Sequence, residues 1–345
     1  MKIGNIDLGE RPVTLAPMED VTDASFRILC REAGAAMVTT EFVSSDGLVR
    51  DVQKTIAKMR TLQEEAPVAV QIYGSIPEAM VDAARMAANA KELAGGHGAD
   101  IVDINFGCPV SKIAGRGAGS GMMREPDKMV AITKAIVEAV PQKPVTVKTR
   151  LGWDENSKII VDLAERLQDV GIAALTIHGR TRCQMYKGEA DWTLIGEVKS
   201  NPRMRIPIIG NGDINSAAKA KEAFDKYGVD GIMVGRASFG HPWIFTEIRH
   251  LLDTGQELPP MNVRDRVALA KRHFQLSLDL KGPVTGVYEM RRHLSCYFKG
   301  LRDFKETRIK LVTSKDPEEI LRTLDYVAAR WGDEEPEASS VYDTC

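Results

Sequence analysis

The chain has 345 residues, a hydrophobic fraction of 43%, a charged fraction of 27% and a formal net charge of −2. That balance excludes a disordered polymer and a uniformly basic nucleic-acid coat, but not a local basic patch. The five cysteines (Cys30, Cys108, Cys183, Cys296 and Cys345) are far apart and form no C-x-x-C pair. A zinc site and a disulfide framework are therefore not expected, no metal is assigned, and a reducing cytoplasmic setting is. Neither a signal peptide nor a membrane span is expected, because no apolar run approaches the roughly 18 residues a spanning helix needs.

Short β-prone runs recur at about the spacing of a βα unit. They predict strands near Val13–Ala16, Met37–Thr40, Val68–Ile72, Asp100–Asn105, Val145–Thr149, Ala174–His178, Ile206–Ile209 and Gly231–Val234. Helical patterns lie between them. Thr22 is the expected N-cap of a helix over Asp23–Ala33 that stops at Gly34. Pro77 opens an Ala-rich helix through Leu93, Pro126 opens Asp127–Val140, and Ser157 precedes Lys158–Val170. Alternation alone also fits an open doubly wound sheet. The count of eight decides for an α/β fold, a (β/α)8 TIM barrel over residues 1–245. Beyond it the periodicity is helical over Val263–Asp279, Thr285–Gly300 and Pro317–Arg330. This predicts a small C-terminal α-helical domain over residues 246–330, followed by a disordered acidic tail over residues 331–345.

In such a barrel, chemistry sits where strands end and loops begin. The fourth strand ends in Asp103-Ile104-Asn105-Phe106-Gly107-Cys108-Pro109, which places one thiol on a turn before a Gly-rich loop. Pro17, Met18 and Glu19 follow the first strand, and Gln71 lies in the third. Lys148 and Arg150 end the fifth, with His178 and Arg180 at the end of the sixth. Asn211-Gly212-Asp213 ends the seventh and Gly235-Arg236 the eighth. Glycine turns at the last two positions, one carrying an arginine, are what a phosphate-bearing cofactor requires. A lysine inside the apolar run Val145–Thr149 needs a partner. A flavin supplies one, since negative charge develops on one edge of its ring on reduction.

The segments Ala16–Arg27, Val70–Glu78, Asp103–Pro109, Val147–Asp154, His178–Trp192, Ile209–Ile214, Val234–Phe245 and Met290–Gly300 together resemble the tRNA-dihydrouridine synthases, and the bacterial B-type branch most. One departure is Glu19-Asp20, where many members have Ala-Gly. The resemblance implies an FMN-dependent enzyme that reduces uridine in tRNA to 5,6-dihydrouridine with NADPH (or NADH) as electron donor. Cys108 is then the proton donor to carbon 5, with hydride arriving at carbon 6 from reduced FMN. It implies FMN contacts at Pro17, Met18, Gln71, Lys148, His178, Asn211, Gly212, Asp213, Gly235 and Arg236, with Glu19 adjoining them.

A basic run between Arg291 and Lys310, interleaved by Tyr297 and Phe298, is the expected grip on RNA phosphates. Arg291, Arg292 and Lys299 are its candidate contacts; Arg180 and Arg182 extend the path, and Asn105 and Arg150 lie at the uridine end. The partner is tRNA, no obligate protein partner is inferred, and a monomer is expected. Three alternatives stay open at this point. One is a small-molecule flavoenzyme similar to dihydroorotate dehydrogenase. The others are a non-catalytic tRNA-binding factor and an aldolase using Lys148 as a Schiff-base former.

Overall fold

A computed structural model describes residues 1–50 and 52–334. The barrel strands are β1 Val13–Leu15, β2 Val38–Thr39, β3 Val68–Tyr73, β4 Ile101–Asn105, β5 Val145–Arg150, β6 Ala174–His178, β7 Ile208–Asn211 and β8 Gly231–Val234. All pair in parallel, in the order β1-β8-β7-β6-β5-β4-β3-β2. The ring closes through the Thr14–Met37 bridge and the Ala36 N–H donating to Val13 O at 2.7 Å. The neighbouring segment Val43–Ser44 adds to β3 beyond the short β2.

Strand register sorts the side chains into two faces. Val68, Val70, Ile72, Val102, Ile104, Val145, Val147, Leu175, Ile177, Ile232 and Val234 belong to the outer apolar core, shared with the surrounding helices. The other parity points inward and grades from apolar to polar along the barrel axis. Ala69, Ile101, Ala174, Ile209 and Met233 form the apolar floor, with Ile3 and Leu8. Ile3 lies in, and Leu8 directly follows, the hairpin Lys2–Ile3/Ile6–Asp7, which no sequence pattern announced. Next come Gln71, Asp103, Thr146 and Thr176, and then Asn105, Lys148, Arg150, His178 and Asn211 at the C-terminal mouth. Each face is thus a period of two read from one strand and repeated around the ring.

Several boundaries differ from expectation. Strand β7 starts two residues late because Pro207 has no N–H for the ladder and the Ile206 N–H donates to Gln168 Oε1 at 3.2 Å. Helix α1 spans Ala24–Glu32, and its N-cap is Asp23, whose Oδ1 accepts from Phe26 N at 3.0 Å. Thr22 instead closes the preceding turn by accepting from Met18 N at 2.9 Å. Helix α2 covers Pro77–Ala88 and breaks at Asn89 before Ala90–Ala94. Helix α3 spans Pro126–Ala139. Helix α4, Ile160–Asp169, starts later than Ser157, which pairs with Asp154 in the turn before it.

The remaining coat helices are α5 Thr193–Ser200, α6 Ala217–Tyr227 and α7 Ile244–Thr254. Helix α7 buries Ile244, Phe245, Ile248 and Leu251 in the barrel core. A second apolar cluster is built from α8 Val263–Tyr297, α9 Lys305–Thr313 and α10 Pro317–Trp331. Helix α8 kinks at Gly282 (φ 78°, ψ 170°), just before Pro283, so the two expected helices are joined end to end. Helix α9 was not expected. Trp331 was assigned to the tail, yet it is buried and its Nε1 donates to Arg302 O at 3.1 Å. Residues 335–345 of that tail lie outside the described residues.

The helical region is tied to the barrel through α1. Lys281 pairs with both Asp23 and Glu289, and Arg272 pairs with Glu32 at 2.6 Å. The first pair is largely buried, so it fixes the domain angle more firmly than an exposed pair would.

Candidate active site at the barrel mouth

The thiol of Cys108 is 8% exposed and sits on a loop fixed from several directions. Asn105 Oδ1 accepts from both Gly107 N and Cys108 N at 2.9 Å. Arg150 Nε donates to Gly107 O at 2.7 Å, and Ser120 Oγ donates to Cys108 O at 2.7 Å. Gly119, at φ +54°, crosses directly beneath: a Cβ there would lie 3.0 Å from Cys108 O and 3.1 Å from Cys108 Cβ. The Gly-rich stretch noted in the sequence thus packs close to the cysteine rather than forming an open loop. Burial raises the Cys108 thiol above its ordinary value, so it stays protonated at neutral pH.

Around it stand the strand-end polar residues. Gln71 Nε2 donates to Asp103 Oδ2 at 2.6 Å, and Asn105 Nδ2 donates to Gln71 Oε1 at 2.8 Å. Thr146 Oγ1 donates to Asp103 Oδ1 at 2.5 Å. Burial raises the Asp103 carboxyl to about 6, against the lowering effect of Gln71, Thr146 and Lys148. Lys148 makes no hydrogen bond and no ion pair within 4.0 Å among the described residues. Burial, and then the neighbouring Arg150, lower it to about 8. His178 is driven well below its ordinary value by burial and then by Arg150 and Lys148, so its ring is neutral. Its buried Nδ1 has no partner among the described residues.

The two glycine turns are ordered by one carboxylate. Asp213, at φ 54°, accepts from Arg180 Nη1 and Nη2 at 2.8 and 2.7 Å, from Ala190 N at 2.7 Å and from Arg236 Nη2 at 3.1 Å. Gly212 has φ +120°, and a Cβ there would lie 2.7 Å from Ala190 Cβ, so only glycine fits. Asn211 Nδ2 donates to Met233 O at 2.7 Å. Gly235 lies beside Ala16 and Met18, whose Cβ and Sδ would be 3.5 and 3.9 Å from an added Cβ. Pro17 is half-buried on the same turn, and Glu19 pairs with Lys58 at the rim.

The arginines divide by burial. Arg180 is 2% exposed and occupied by Asp213, Lys187 O and Gly188 O; it builds the loop after β6. Arg150 is likewise buried and donates to Gly107 O, Thr181 O and Met185 O. Neither presents a free guanidinium to a phosphate. Arg182 is half-buried and lies over the Trp153 ring at 4.7 Å, with Arg124 at 4.2 Å from the same ring. Arg291 lies over Tyr288 at 4.3 Å and donates to Thr313 O and Ser314 O, both at 3.1 Å. Arg292 donates to Asp20 O at 2.9 Å, which puts the basic helix against the barrel rim. Lys299 is half-buried near the end of α8.

Sequence reasoning missed Tyr186, which is exposed on the β6 loop with Arg236 and Arg150 at 5.2 and 5.6 Å from its ring centroid. It also gave Thr146 no role. Thr146 lies two residues before Lys148 and therefore on the same face of β5, a signal that was readable.

Comparison with known proteins adds the following. The family model described as Dihydrouridine synthase (Dus) matches residues 14–330. A "Probable tRNA-dihydrouridine synthase" of Rickettsia conorii is 41% identical over 318 residues, covering 92% of this chain and 93% of that protein. The "tRNA-dihydrouridine synthase B" of Escherichia coli K12 is 39% identical over 325 residues, covering 94% and 98%. Among solved structures, the old yellow enzyme homologue of Zymomonas mobilis superposes with a TM-score of 0.53 at 12% identity, over 76% of this chain and 93% of that one. At that identity the likeness speaks to the barrel fold.

Proposed function

Because the chain belongs to the dihydrouridine synthase family, we propose that it reduces specific uridines of tRNA to 5,6-dihydrouridine, with FMN bound in the barrel and NADPH (or NADH) as reductant. The observation that carries this reading is a protonated thiol beside two polar groups lacking partners. Lys148 and His178 Nδ1 are costly to leave unpaired in a folded chain, and both suit the polar edge of a flavin. Gly235 is partly exposed at the β8 end, where barrels take phosphate, with the half-exposed Arg236 beside it, while the buried Asn211 and Gly212 shape the adjoining β7 end. Met18 and Pro17 offer an apolar wall, and Gln71 an amide edge. Glu19, paired with Lys58, stands at the rim.

FMN held by these residues would, once reduced, be the source of hydride for carbon 6 of the uracil. Cys108 delivers the proton to carbon 5, for which a raised thiol pKa is the right setting. Asn105 and Arg150 hold the cysteine turn in place, while Arg180 holds the loop that follows β6. Lys148, positively charged below about 8, balances negative charge that grows next to it.

The target uridine must leave its stack to enter a barrel mouth, so the rest of the tRNA needs its own grip. We assign that grip to the helical region and the rim, through Arg182, Arg291, Arg292 and Lys299. The barrel is the catalytic unit and the helical region the tRNA-binding unit; because helix α7 packs Ile248 and Leu251 into the barrel core, the division falls after Thr254 rather than at the expected 245/246. The protein acts as a monomer in the cytoplasm; no helix among the described residues is long and apolar enough to cross a membrane.

The test is Cys108→Ala. The variant is expected to keep its flavin absorption and its flavin reduction by NADPH, and to lose uridine reduction on tRNA. Full turnover by the variant would overturn the assignment.

A further inference from the structure

We propose that Asp103 is a positioning residue for the reactive cysteine, acting through a one-directional chain of hydrogen bonds across β3 and β4. This rests on the reading of Cys108 as the proton donor and goes one step beneath it. The chain starts where an ionised carboxylate can only accept. Asp103 Oδ2 takes the amide N–H of Gln71 at 2.6 Å, which obliges Gln71 to turn its Oε1 the other way. That oxygen accepts from Asn105 Nδ2 at 2.8 Å, so Asn105 in turn must present Oδ1 to the loop. Oδ1 then accepts from Gly107 N and Cys108 N, both at 2.9 Å.

Every amide in the series has its orientation dictated by the one before it. Reversing either amide would set two donors, or two acceptors, face to face. Buried amides otherwise choose freely between near-isosteric orientations, so a fixed terminus is needed to select one. Asp103 is that terminus. Its second oxygen is held by Thr146 Oγ1 at 2.5 Å, which keeps the carboxylate from rotating. Gln71, Asp103 and Asn105 are 0%, 6% and 5% exposed, so water does not offer substitute partners. The adjacent register pairs Gln71–Asp103 and Asp103–Thr146 place these side chains on one inner level of the barrel.

The experiment measures the alkylation rate of Cys108 by iodoacetamide in the purified full-length protein, resolved by peptide mass spectrometry. Cys183, exposed on the β6 loop, serves as internal reference. Asp103→Leu removes the terminus and is expected to raise the Cys108 rate roughly tenfold, about 1.4 kcal/mol, with Cys183 unchanged. Asp103→Asn keeps an acceptor oxygen for Gln71 and turns its nitrogen to the Thr146 hydroxyl. Its rate is expected within about twofold of the parent. In an Asn105→Ala background the chain is already cut, so Asp103→Leu is expected to add nothing.

A Cys108 rate that Asp103→Leu leaves unchanged, or an effect fully additive with Asn105→Ala, overturns the proposal. So does an Asp103→Asn rate as high as that of Asp103→Leu. Should the leucine variant fail to fold, Gln71→Leu cuts the chain at the next link, with the same expected and refuting results. Alkylation reports where the thiol is held, whether or not it protonates uracil, so this outcome is independent of the Cys108→Ala turnover test.

Discussion

Replacing Lys148 by Met is expected to make the flavin-free protein more stable and the flavin-bound protein less readily formed. The side chain lies in the inner face of β5, with burial and Arg150 lowering it to about 8. From an ordinary lysine value near about 10.4, that drop is a penalty of roughly 3 kcal/mol on the charged form. Below about 8 both the folded and unfolded chains carry the proton, and the penalty is felt in full. Between there and about 10.4 the unfolded chain binds more protons than the folded one, so stability rises with pH and the penalty fades. Met removes the penalty and fits the stem's volume. The attraction between Lys148 and Asp103 is already contained in that lowered value, so the net expectation is a gain of about 3 kcal/mol near neutral pH. This gain should shrink towards zero above about pH 10.4. Urea unfolding of flavin-stripped wild type and variant at the two pH values measures it, and flavin titration measures the accompanying loss of affinity. A variant less stable than wild type near neutral pH, or one binding FMN undiminished, would refute the view that this lysine awaits a ligand.

Three further outcomes follow from the site. Cys108→Ala should lower uridine reduction by about 10²–10⁴-fold, the usual worth of a positioned proton donor, with flavin content intact; a smaller loss in single-turnover reduction of tRNA would argue for another donor. Asp213→Asn should cost about 3 kcal/mol by leaving the buried Arg180 short of its partner. Burial pushes the Asp213 carboxyl up, but hydrogen bonding to Arg180 and Ala190 together with the charges of Arg180 and Arg236 holds it below its ordinary range. Its stabilising contribution is therefore present above the unfolded carboxyl value and lost as pH falls through the folded one, and the variant should lack that part of the acid unfolding curve. Paired Arg291→Ala and Arg292→Ala should weaken tRNA binding and flatten its salt dependence, and a binding isotherm series with an unchanged salt slope would remove them from the RNA surface.

The barrel was legible because its strands follow one rule: apolar residues at one parity and a graded set at the other, repeated around the ring. The predicted strands placed Gln71, Lys148 and His178 in or at the ends of barrel strands, and the register shows that all three point inward. Spacing could not tell which inward groups were already paired. Arg150 and Arg180 look like free cations in a list of strand ends, yet they are buried against main-chain carbonyls and Asp213. All three Arg150 pairings and the Arg180–Asp213 pair (33 apart) join residues more than 30 apart in sequence, and no local pattern encodes them. Caps failed for a related reason. Thr22 and Ser157 are good capping residues, but each was drawn into the turn beside it, leaving Asp23 to cap α1. The N-terminal hairpin was invisible because its strands are two residues each, too short for a period to register.

The most direct measurement is nucleoside mass spectrometry, position by position, on unmodified tRNA treated with the purified FMN-loaded protein and NADPH. Dihydrouridine, uridine plus two hydrogens, should form at defined positions with the wild-type chain and be nearly absent with Cys108→Ala. Flavin that is reduced by NADPH and reoxidised without any dihydrouridine forming in the wild-type reaction would contradict the proposed function at its root.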